Sequence, residues 1–371
     1  MTLVFLVVLV ALVFEYINGF HDTANSIAMG VSTRALTPRM ALALAAIMNL
    51  VGALVGTAVA KTISSGLVDS HFVTTATTIT ALLGAIIWNL VTWWFGLPSS
   101  SSHALVGGLI GATVATASTM MPEGHSAWGA VIWAQAKPGA ELKEYGGLLY
   151  KVLIPMIASP ILGFFGGMLV MGIFYRLVAK WRPAAVDKTF RFGQLFSGAF
   201  MGFSHGSNDA QKTMGIIALS LAAATNSGSL DHLPAWLDFL HLPNYGPNAP
   251  IPRWIMLTCA VVMAAGTASG GWTIIKTMGQ KMVKVLPING FAADATGATV
   301  LVVAAHFGMP VSTTHAMTTS IMGVGCARRW SALKLSVVGR ILTAWVLTLP
   351  VCILMGWLGM KLWLWCGIAV K

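Results

Sequence analysis

The chain has 371 residues, of which 56% are hydrophobic and only 9% are charged, and its mean hydropathy is +0.78. Soluble domains carry about 25% charged residues, so this composition excludes a soluble globular protein and indicates a polytopic membrane protein. The formal net charge of +11 and the 14 Trp residues fit basic cytoplasmic loops and interfacial anchors, and they argue against a nucleic-acid surface.

Residues 1–33 form the first predicted membrane segment. They contain no Lys or Arg, so they lack the basic region of a cleavable signal peptide, and we expect them to stay in the membrane. The motif GFHDTANS, residues 19–26, places the Asp22 carboxylate in apolar surroundings. A carboxylate at membrane depth costs about 2.5–3.5 kcal/mol, which indicates ligand or ion binding. Since Asn18 and Asp22 disfavour a helix interior, we predict a helix that is broken near its middle.

Residues 38–62 are the next predicted span, and residues 74–118 form two apolar arms joined by the polar elbow LPSSSSH. In this elbow a Pro precedes Ser100, Ser101 and Ser102, which predicts a helix start whose first N–H groups lack partners. Such a start binds anions, because the N–H groups carry partial positive charge and the hydroxyls add donors. N-capping alone also explains such a serine run. Residues 148–181 complete this half.

Residues 182–191 are predicted to be a basic cytoplasmic linker between a first repeat, residues 1–181, and a second repeat, residues 192–371. The second repeat has the same order of elements as the first. They are the motif GSNDAQKT at 206–213, a span at 253–275, a hairpin at 289–325 with the elbow MPVSTTH, and a last span at 335–370.

Two offsets relate the halves. An offset of 187, the difference between 209 and 22, places Asp209 on Asp22, and an offset of 212, the difference between 310 and 98, places the second elbow on the first. Basic residues bound only the second hairpin, so the two hairpins should open to opposite sides. We therefore predict an all-α polytopic membrane protein with an inverted repeat, broken helices and re-entrant or helical hairpins. His103 and His315 should be structural hydrogen bonders, not metal ligands.

The two aspartates predict cation coupling, because paired carboxylates beside an anion would repel it unless cations were bound too. With the amide oxygens of Asn25 and Asn208, they offer the hard ligands that sodium uses, whereas a protonatable Asp would serve proton coupling. Capping of half-helices is the structural alternative. The histidines beside both motifs are candidates for proton transfer, but the sequence does not reveal their partners.

Lys212 occupies the position equivalent to Asn25, so we predict that it neutralises Asp209 or the substrate. Glu15 and Asp294 are the other acidic residues in apolar segments, and neither has an acidic counterpart in the other half. Each could belong to an ion pathway or pair with a nearby polar group, and we include Glu15 among the residues predicted to couple ions.

The motifs GFHDTANS and FSHGSNDAQKTMG, with the elbows PSSSSHA and PVSTTHA, resemble those of the PiT family of inorganic phosphate transporters. The resemblance implies an inverted-repeat carrier, often a homodimer, that moves phosphate with a cation by alternating access in the cell (inner) membrane. The resemblance implies that phosphate is bound by Ser100, Ser101, Ser102, Ser312, Thr313, Thr314, Asp22, Asn25, Asn208 and Asp209. We include Lys212 among the residues predicted to bind phosphate. The residues expected to couple ions are Asp22, Asn25, Asp209 and Glu15.

His21 and Lys212 depart from the pattern of many sodium-driven relatives, which have Asn at both positions. The resemblance to bacterial members of the family implies proton coupling, with phosphate carried as a neutral metal complex, and a sodium-coupled phosphate or sulfate symporter is the alternative. No cofactor or resident metal is expected, and the partners are inorganic phosphate and the lipid bilayer. A hydrolase is disfavoured because a Ser beside a His in the sequence does not ensure a hydrogen-bonded pair and because catalysis needs only one elbow. A channel is disfavoured because broken inverted halves suit alternating access.

Overall fold

The computed structural model describes residues 2–122, 124–136, 144–242 and 249–367. Parts of the predicted loops at 121–147 and 226–252, and the end of the last predicted span, lie outside the described residues. Regular elements in the described part are helical, with two isolated β-bridges. The α-helices are α1 (Thr2–Ser32), α2 (Pro38–Ala53), α3 (Ala58–Ser65), α4 (Thr75–Trp94), α5 (Ser101–Met120), α6 (Ile154–Leu177), α7 (Pro183–Asn226), α8 (Arg253–Ser269), α9 (Trp272–Lys276), α10 (Pro287–His306), α11 (Thr313–Cys326) and α12 (Leu335–Trp365).

Short helical turns complete the elements. A π-turn at Leu149–Leu153 leads into α6, and another at Thr277–Lys281 continues α9. Six helices in the described residues are long and apolar enough to cross a membrane, and the number rises to eight when α2 with α3 and α8 with α9 each count as one bent span. The all-α polytopic membrane architecture predicted from composition is therefore confirmed.

The broken helices lie in different places from those predicted. The prediction of a break at the first motif is wrong, because α1 runs without interruption from Thr2 to Ser32, and α7 likewise continues through the second motif. The bends fall between α2 and α3, at 66°, and between α8 and α9, at 59°. Buried polar partners on other helices outweigh the weak helix propensity of the motif residues. The start of α7 also shows that residues 183–191 of the predicted linker are helical.

Two hairpins, α4 with α5 and α10 with α11, agree with the two predicted from the elbows. We call residues 95–102 the first tip and residues 307–314 the second tip. At the end of each descending arm a glycine with φ of +62°, Gly96 or Gly308, turns the chain in the left-handed region. Both tips thus reverse direction in the same way before the Ser/Thr run begins.

Each ascending hairpin arm packs against the long helix of the other half. A Cβ atom at Gly111 of α5 would lie 1.9 Å from the carbonyl oxygen of Ile353 on α12. At Gly323 of α11, 212 residues later, a Cβ would lie 1.9 Å from the carbonyl oxygen of Phe164 on α6. Neither site has room for a side chain, so the two halves meet in backbone contact twice, at equivalent positions.

A second pair of equivalent contacts holds the tips. The Thr62 hydroxyl of α3 donates to the Gly308 carbonyl at 2.7 Å, and we call this contact the first clasp. The Thr277 hydroxyl, in the π-turn after α9, donates to the Gly96 carbonyl at 2.8 Å, which is the second clasp. Each bent span therefore binds the hairpin tip of the other half.

Candidate functional site

The site lies where α1 and α7 meet the two tips. Asp22 of α1 and Asp209 of α7 are buried, with 2% and 0% of their surface exposed. The Thr313 hydroxyl lies 3.5 Å from Oδ2 of Asp22 and 3.1 Å from Oδ2 of Asp209. The two carboxylates, which are 187 residues apart, thus meet at one hydroxyl of the second tip.

The first tip also reaches Asp22. The Ser101 hydroxyl donates to Oδ2 of Asp22 at 2.9 Å, while Thr314 of the second tip donates to Oδ1 at 3.4 Å. The Asn25 amide, one turn along α1, donates to the hydroxyls of Thr313 and Thr314 at 3.2 and 3.0 Å. Three hydroxyls of the two tips therefore contact one carboxylate, and Asn25 bonds to two of these hydroxyls.

Ser100 and Ser312, the first predicted phosphate-binding residues of the two tips, bond to the backbone and not to a carboxylate. Each hydroxyl accepts the backbone N–H three residues later, from His103 and His315 respectively, at 3.1 Å. These two serines are therefore the N-caps of α5 and α11, which is the alternative that the capping preference offered. Of the hydroxyls that follow, those of Ser101, Thr313 and Thr314 are directed at the carboxylates, whereas that of Ser102 donates to the Val311 carbonyl at 3.1 Å.

Lys212 joins α7 to both tips. Its ammonium group donates to Oδ1 of Asp209 and to the Ser102 hydroxyl, and it lies 3.1 Å from the Val311 carbonyl oxygen. The residue is 1% exposed. The prediction that Lys212 neutralises Asp209 thus agrees with a direct contact between the two groups.

A histidine lies beside each carboxylate. Nδ1 of His21 is 2.6 Å from Oδ1 of Asp22, and its Nε2 is 3.1 Å from the Thr92 hydroxyl of α4. Nε2 of His205 is 3.4 Å from Oδ2 of Asp209. In the first half the histidine directly precedes the aspartate, whereas in the second it lies one turn earlier, so both aspartates have an imidazole partner.

Residues on α2, α4 and α8 that the sequence did not assign to the site hold these histidines. Asn49 of α2 bonds through Oδ1 to Nδ1 of His205 at 3.1 Å and donates to the Thr267 hydroxyl of α8 at 2.9 Å. Asn49 thus bonds to two other helices, α7 and α8. The sequence signal for Asn49 was a polar side chain in an apolar span. The spacing of residues along the chain could not show that this side chain bonds to a histidine.

His103 and His315 pack against each other between the tips, with ring centroids 4.9 Å apart. Trp345 of α12 stacks on His315 at 3.9 Å. The prediction that these histidines are hydrogen bonders is wrong for the described residues, among which none of their ring nitrogens finds a partner. The contacts of these two rings are therefore aromatic, with each other and with Trp345.

Asn208 and Glu15 lie at the edge of the site. The Asn208 amide donates to the Met309 carbonyl of the second tip at 3.3 Å, and its Oδ1 has no hydrogen-bond partner in the described part of the chain. Glu15 accepts a hydrogen bond from Thr213, two turns of α1 away from Asp22. Its assignment to ion coupling stays a prediction.

The oxygen-rich composition of the site suits a cation as well as an anion. One ligand atom from each of Asp22, His205 and Asp209 lies within 4.8 Å of the other two. The amide oxygens of Asn25 and Asn208 have no hydrogen-bond partner among the described residues. Carboxylate and amide oxygens are hard ligands that alkali and alkaline-earth cations favour.

A cavity of about 880 Å³ lies between α3, α4, α5 and α7, at the ends of α4 and α5 that are remote from the first tip. Ser64, Thr75, Met120 and Leu219 are among the residues that line it. The site residues are buried and are not part of this lining, so protein separates the cavity from the carboxylates.

Known proteins resemble this chain over most of its length. A family model described as the Phosphate transporter family, PHO4, matches residues 18–188 and 180–356. A probable low-affinity inorganic phosphate transporter of Bacillus subtilis is 40% identical over 356 residues, which is 95% of each chain. A protein of Rhizobium meliloti with the same description is 42% identical over 342 residues, which is 92% of this chain and 90% of the relative.

A solved structure described as the sodium-dependent phosphate transporter is similar over 100% of both chains, with a TM-score of 0.75 and 22% identity. At that identity the likeness concerns the fold alone. The family model and the bacterial relatives, in contrast, cover nearly the whole sequence, and for that reason the chain belongs to the phosphate transporter family.

Proposed function

We propose that this protein is a secondary active transporter that carries inorganic phosphate across the membrane by alternating access. The observation that carries the proposal is the convergence of Ser101 from one hairpin tip and Thr313 and Thr314 from the other on Asp22. Two helix starts with adjacent hydroxyls suit a tetrahedral oxyanion. Inorganic phosphate is also the substrate in the descriptions of the Bacillus and Rhizobium relatives. The family consists of transporters, in agreement with the prediction that the chain is not an enzyme.

The carboxylates favour phosphate over sulfate. Asp22 and Asp209 accept hydrogen bonds and donate none while they are ionised. Phosphate keeps at least one proton at neutral pH and can donate it to a carboxylate, whereas sulfate has no proton to give. Sulfate would therefore meet buried carboxylates without a hydrogen bond, and a site built for a donor rejects an analogue that lacks it.

The proposal includes two inverted repeats, residues 1–181 and 192–371, joined at 182–191. It is supported by the backbone contacts at Gly111 and Gly323, which lie 212 residues apart, and by the two clasps. The family model also matches the chain in two stretches that meet near the predicted linker. In such a design one central site is open first to one side of the membrane and then to the other.

Proton coupling is the leading mechanism in this proposal, with a neutral metal–phosphate complex as the cargo. The atoms of Asp22, His205 and Asp209 are close enough to contact one cation of such a complex. Sodium-coupled transport of phosphate or sulfate is the alternative. The protein is expected to work as a homodimer, which the mass of the purified protein in nanodiscs tests.

Reconstitution in liposomes tests the function. Uptake of labelled phosphate and sulfate is measured under an imposed proton gradient and under a sodium gradient, each with and without magnesium. We expect the proton gradient to drive phosphate uptake and magnesium to increase it. Uptake driven by sodium alone would contradict proton coupling, and faster uptake of sulfate would contradict the substrate. Counterflow with unlabelled phosphate inside distinguishes a carrier, which accumulates label transiently, from a channel.

A further inference from the structure

Lys212 has the surroundings of a bound alkali cation. Its ammonium group contacts a carboxylate oxygen of Asp209, a hydroxyl oxygen of Ser102 and the carbonyl oxygen of Val311. These three oxygens come from α7, from the first tip and from the second tip. Carboxylate, hydroxyl and carbonyl oxygens are the ligands that coupling cations find in transporters of this architecture.

The equivalent position in the first half is different. The offset of 187 places Lys212 on Asn25, a neutral residue whose amide nitrogen bonds to Thr313 and Thr314. The Asn25 amide oxygen has no hydrogen-bond partner in the described residues. One half thus has a neutral side chain with an available acceptor, and the other has a positive charge attached to the chain.

We infer that the Lys212 ammonium group replaces a mobile monovalent cation beside Asp209, so that transport needs no such cation there. The inference rests on the proposed phosphate transport and specifies which part of the site requires no external ion. A buried carboxylate without a counterion is strongly destabilised, so Asp209 needs a cation beside it whenever it is ionised. Because Lys212 is covalently attached and 1% exposed, it supplies that charge in every step of the cycle.

The geometry argues against direct phosphate binding by Lys212. An ammonium group has three N–H donors and no acceptor. Asp209, Ser102 and Val311 together accept three hydrogen bonds from it. No donor is left for an anion, so Lys212 acts on phosphate through the carboxylate and the two tips that it joins.

Shortening the side chain tests the inference, because it leaves the three oxygens in place and makes room for an ion. Lys212→Ala is reconstituted in liposomes, and phosphate uptake is measured at a fixed proton gradient in choline, sodium, lithium or methylammonium chloride. We expect wild-type uptake to be the same in choline and sodium. Uptake by the variant should fall more than about tenfold in choline and recover severalfold in sodium or methylammonium. The inference would be overturned if the variant took up phosphate in choline at the wild-type rate. It would also be overturned if the variant folded but no cation restored its phosphate uptake.

Thermal unfolding in detergent gives a second readout that does not depend on transport. A cation that binds only the folded variant raises its unfolding midpoint, so sodium should raise the midpoint of Lys212→Ala and leave that of the wild type unchanged. If Lys212→Ala does not fold, Lys212→Asn, which copies the first half, is measured in the same way. An equal midpoint in sodium and choline for a folded variant would contradict the inference.

Arg191→Ala is the matched control, because Arg191 forms an ion pair with Asp187 on the same helix but is exposed. It should gain no response to sodium. If the wild type takes up no phosphate under any gradient, the proposed function fails, and the unfolding experiment still decides the role of Lys212.

Discussion

The Thr62 hydroxyl donates to the Gly308 carbonyl across two halves of the chain, and Thr277 repeats this contact with Gly96. The first clasp lies next to the cavity, which Ser64 of the same short helix lines. The second clasp lies at the other tip. An alternating-access cycle requires each tip to leave its bent span in turn, so the clasps are expected to oppose opening on different sides of the site.

We predict that Thr62→Val favours opening toward the cavity and that Thr277→Val favours the other side. Loss of one hydrogen bond costs about 0.5–1.5 kcal/mol, which corresponds to about a two- to tenfold change in population. The rate at which a maleimide labels Leu219→Cys, in a Cys366→Ser background in nanodiscs, measures the opening. Labelling should be faster with Thr62→Val and slower with Thr277→Val. A change of the same sign in both variants would contradict the assignment of the clasps.

Ser100 and Ser101 are adjacent, but their variants should behave differently. Ser100→Ala removes the N-cap of α5 and should lower stability by about 1 kcal/mol, measured as a lower unfolding midpoint. Ser101→Ala removes a donor to Asp22 and should raise the KM for phosphate with a smaller effect on the midpoint. Ser100→Thr keeps a capping hydroxyl and is the control. A higher KM with Ser100→Ala at unchanged stability would instead indicate that Ser100 contacts the substrate.

Asp22→Asn should change selectivity as well as rate. The amide can donate a hydrogen bond and has no negative charge, so the site loses its preference for an anion that carries a proton. We expect lower phosphate uptake and at least about a tenfold increase in the ratio of sulfate to phosphate inhibition, measured by competition with labelled phosphate. Asp294→Asn, which changes a buried carboxylate bonded to Ser197, should leave this ratio unchanged. An unchanged ratio for Asp22→Asn would contradict the proposed basis of selectivity.

Gly111→Ala and Gly323→Ala should each destabilise the protein, because the added Cβ would lie 1.9 Å from a carbonyl oxygen of the opposite helix. Overpacking of this kind costs about 1–3 kcal/mol when the backbone can move and more when it cannot. The unfolding midpoint in detergent measures the effect. Gly172→Ala on α6 is the control, since a Cβ there meets no atom within 4 Å. Similar midpoints for all three variants would mean that the two halves separate easily at these crossings.

The sequence predicts the hairpins well because their signals are local. A glycine, a proline and a run of hydroxyl residues mark each tip, and the offset of 212 repeats the pattern. The offset of 187 likewise predicts that Asp22 and Asp209 are equivalent residues of the two halves. Both predictions use short motifs whose chemistry does not depend on distant parts of the chain.

The breaks and the histidine contacts could not be predicted in the same way. Asn18 and Asp22 disfavour a helix interior, yet α1 continues through both, and Asp22 accepts a hydrogen bond from Ser101 of the first tip. The support of His205 by Asn49 joins residues 156 positions apart, and no spacing rule relates them. Propensity is a weak prior that tertiary contacts override in such places.

The Thr313 hydroxyl between Asp22 and Asp209 has one hydrogen, although it lies near both carboxylates. It cannot serve the two acceptors at once, and because Asn25 donates to the same oxygen, its hydrogen must point toward an aspartate. Rotation about a single bond therefore decides which carboxylate receives this hydrogen, while Ser101 donates to Asp22 in either case. The carboxylate oxygen that does not receive the Thr313 hydrogen keeps a free lone pair, which can accept the proton of an incoming acid phosphate.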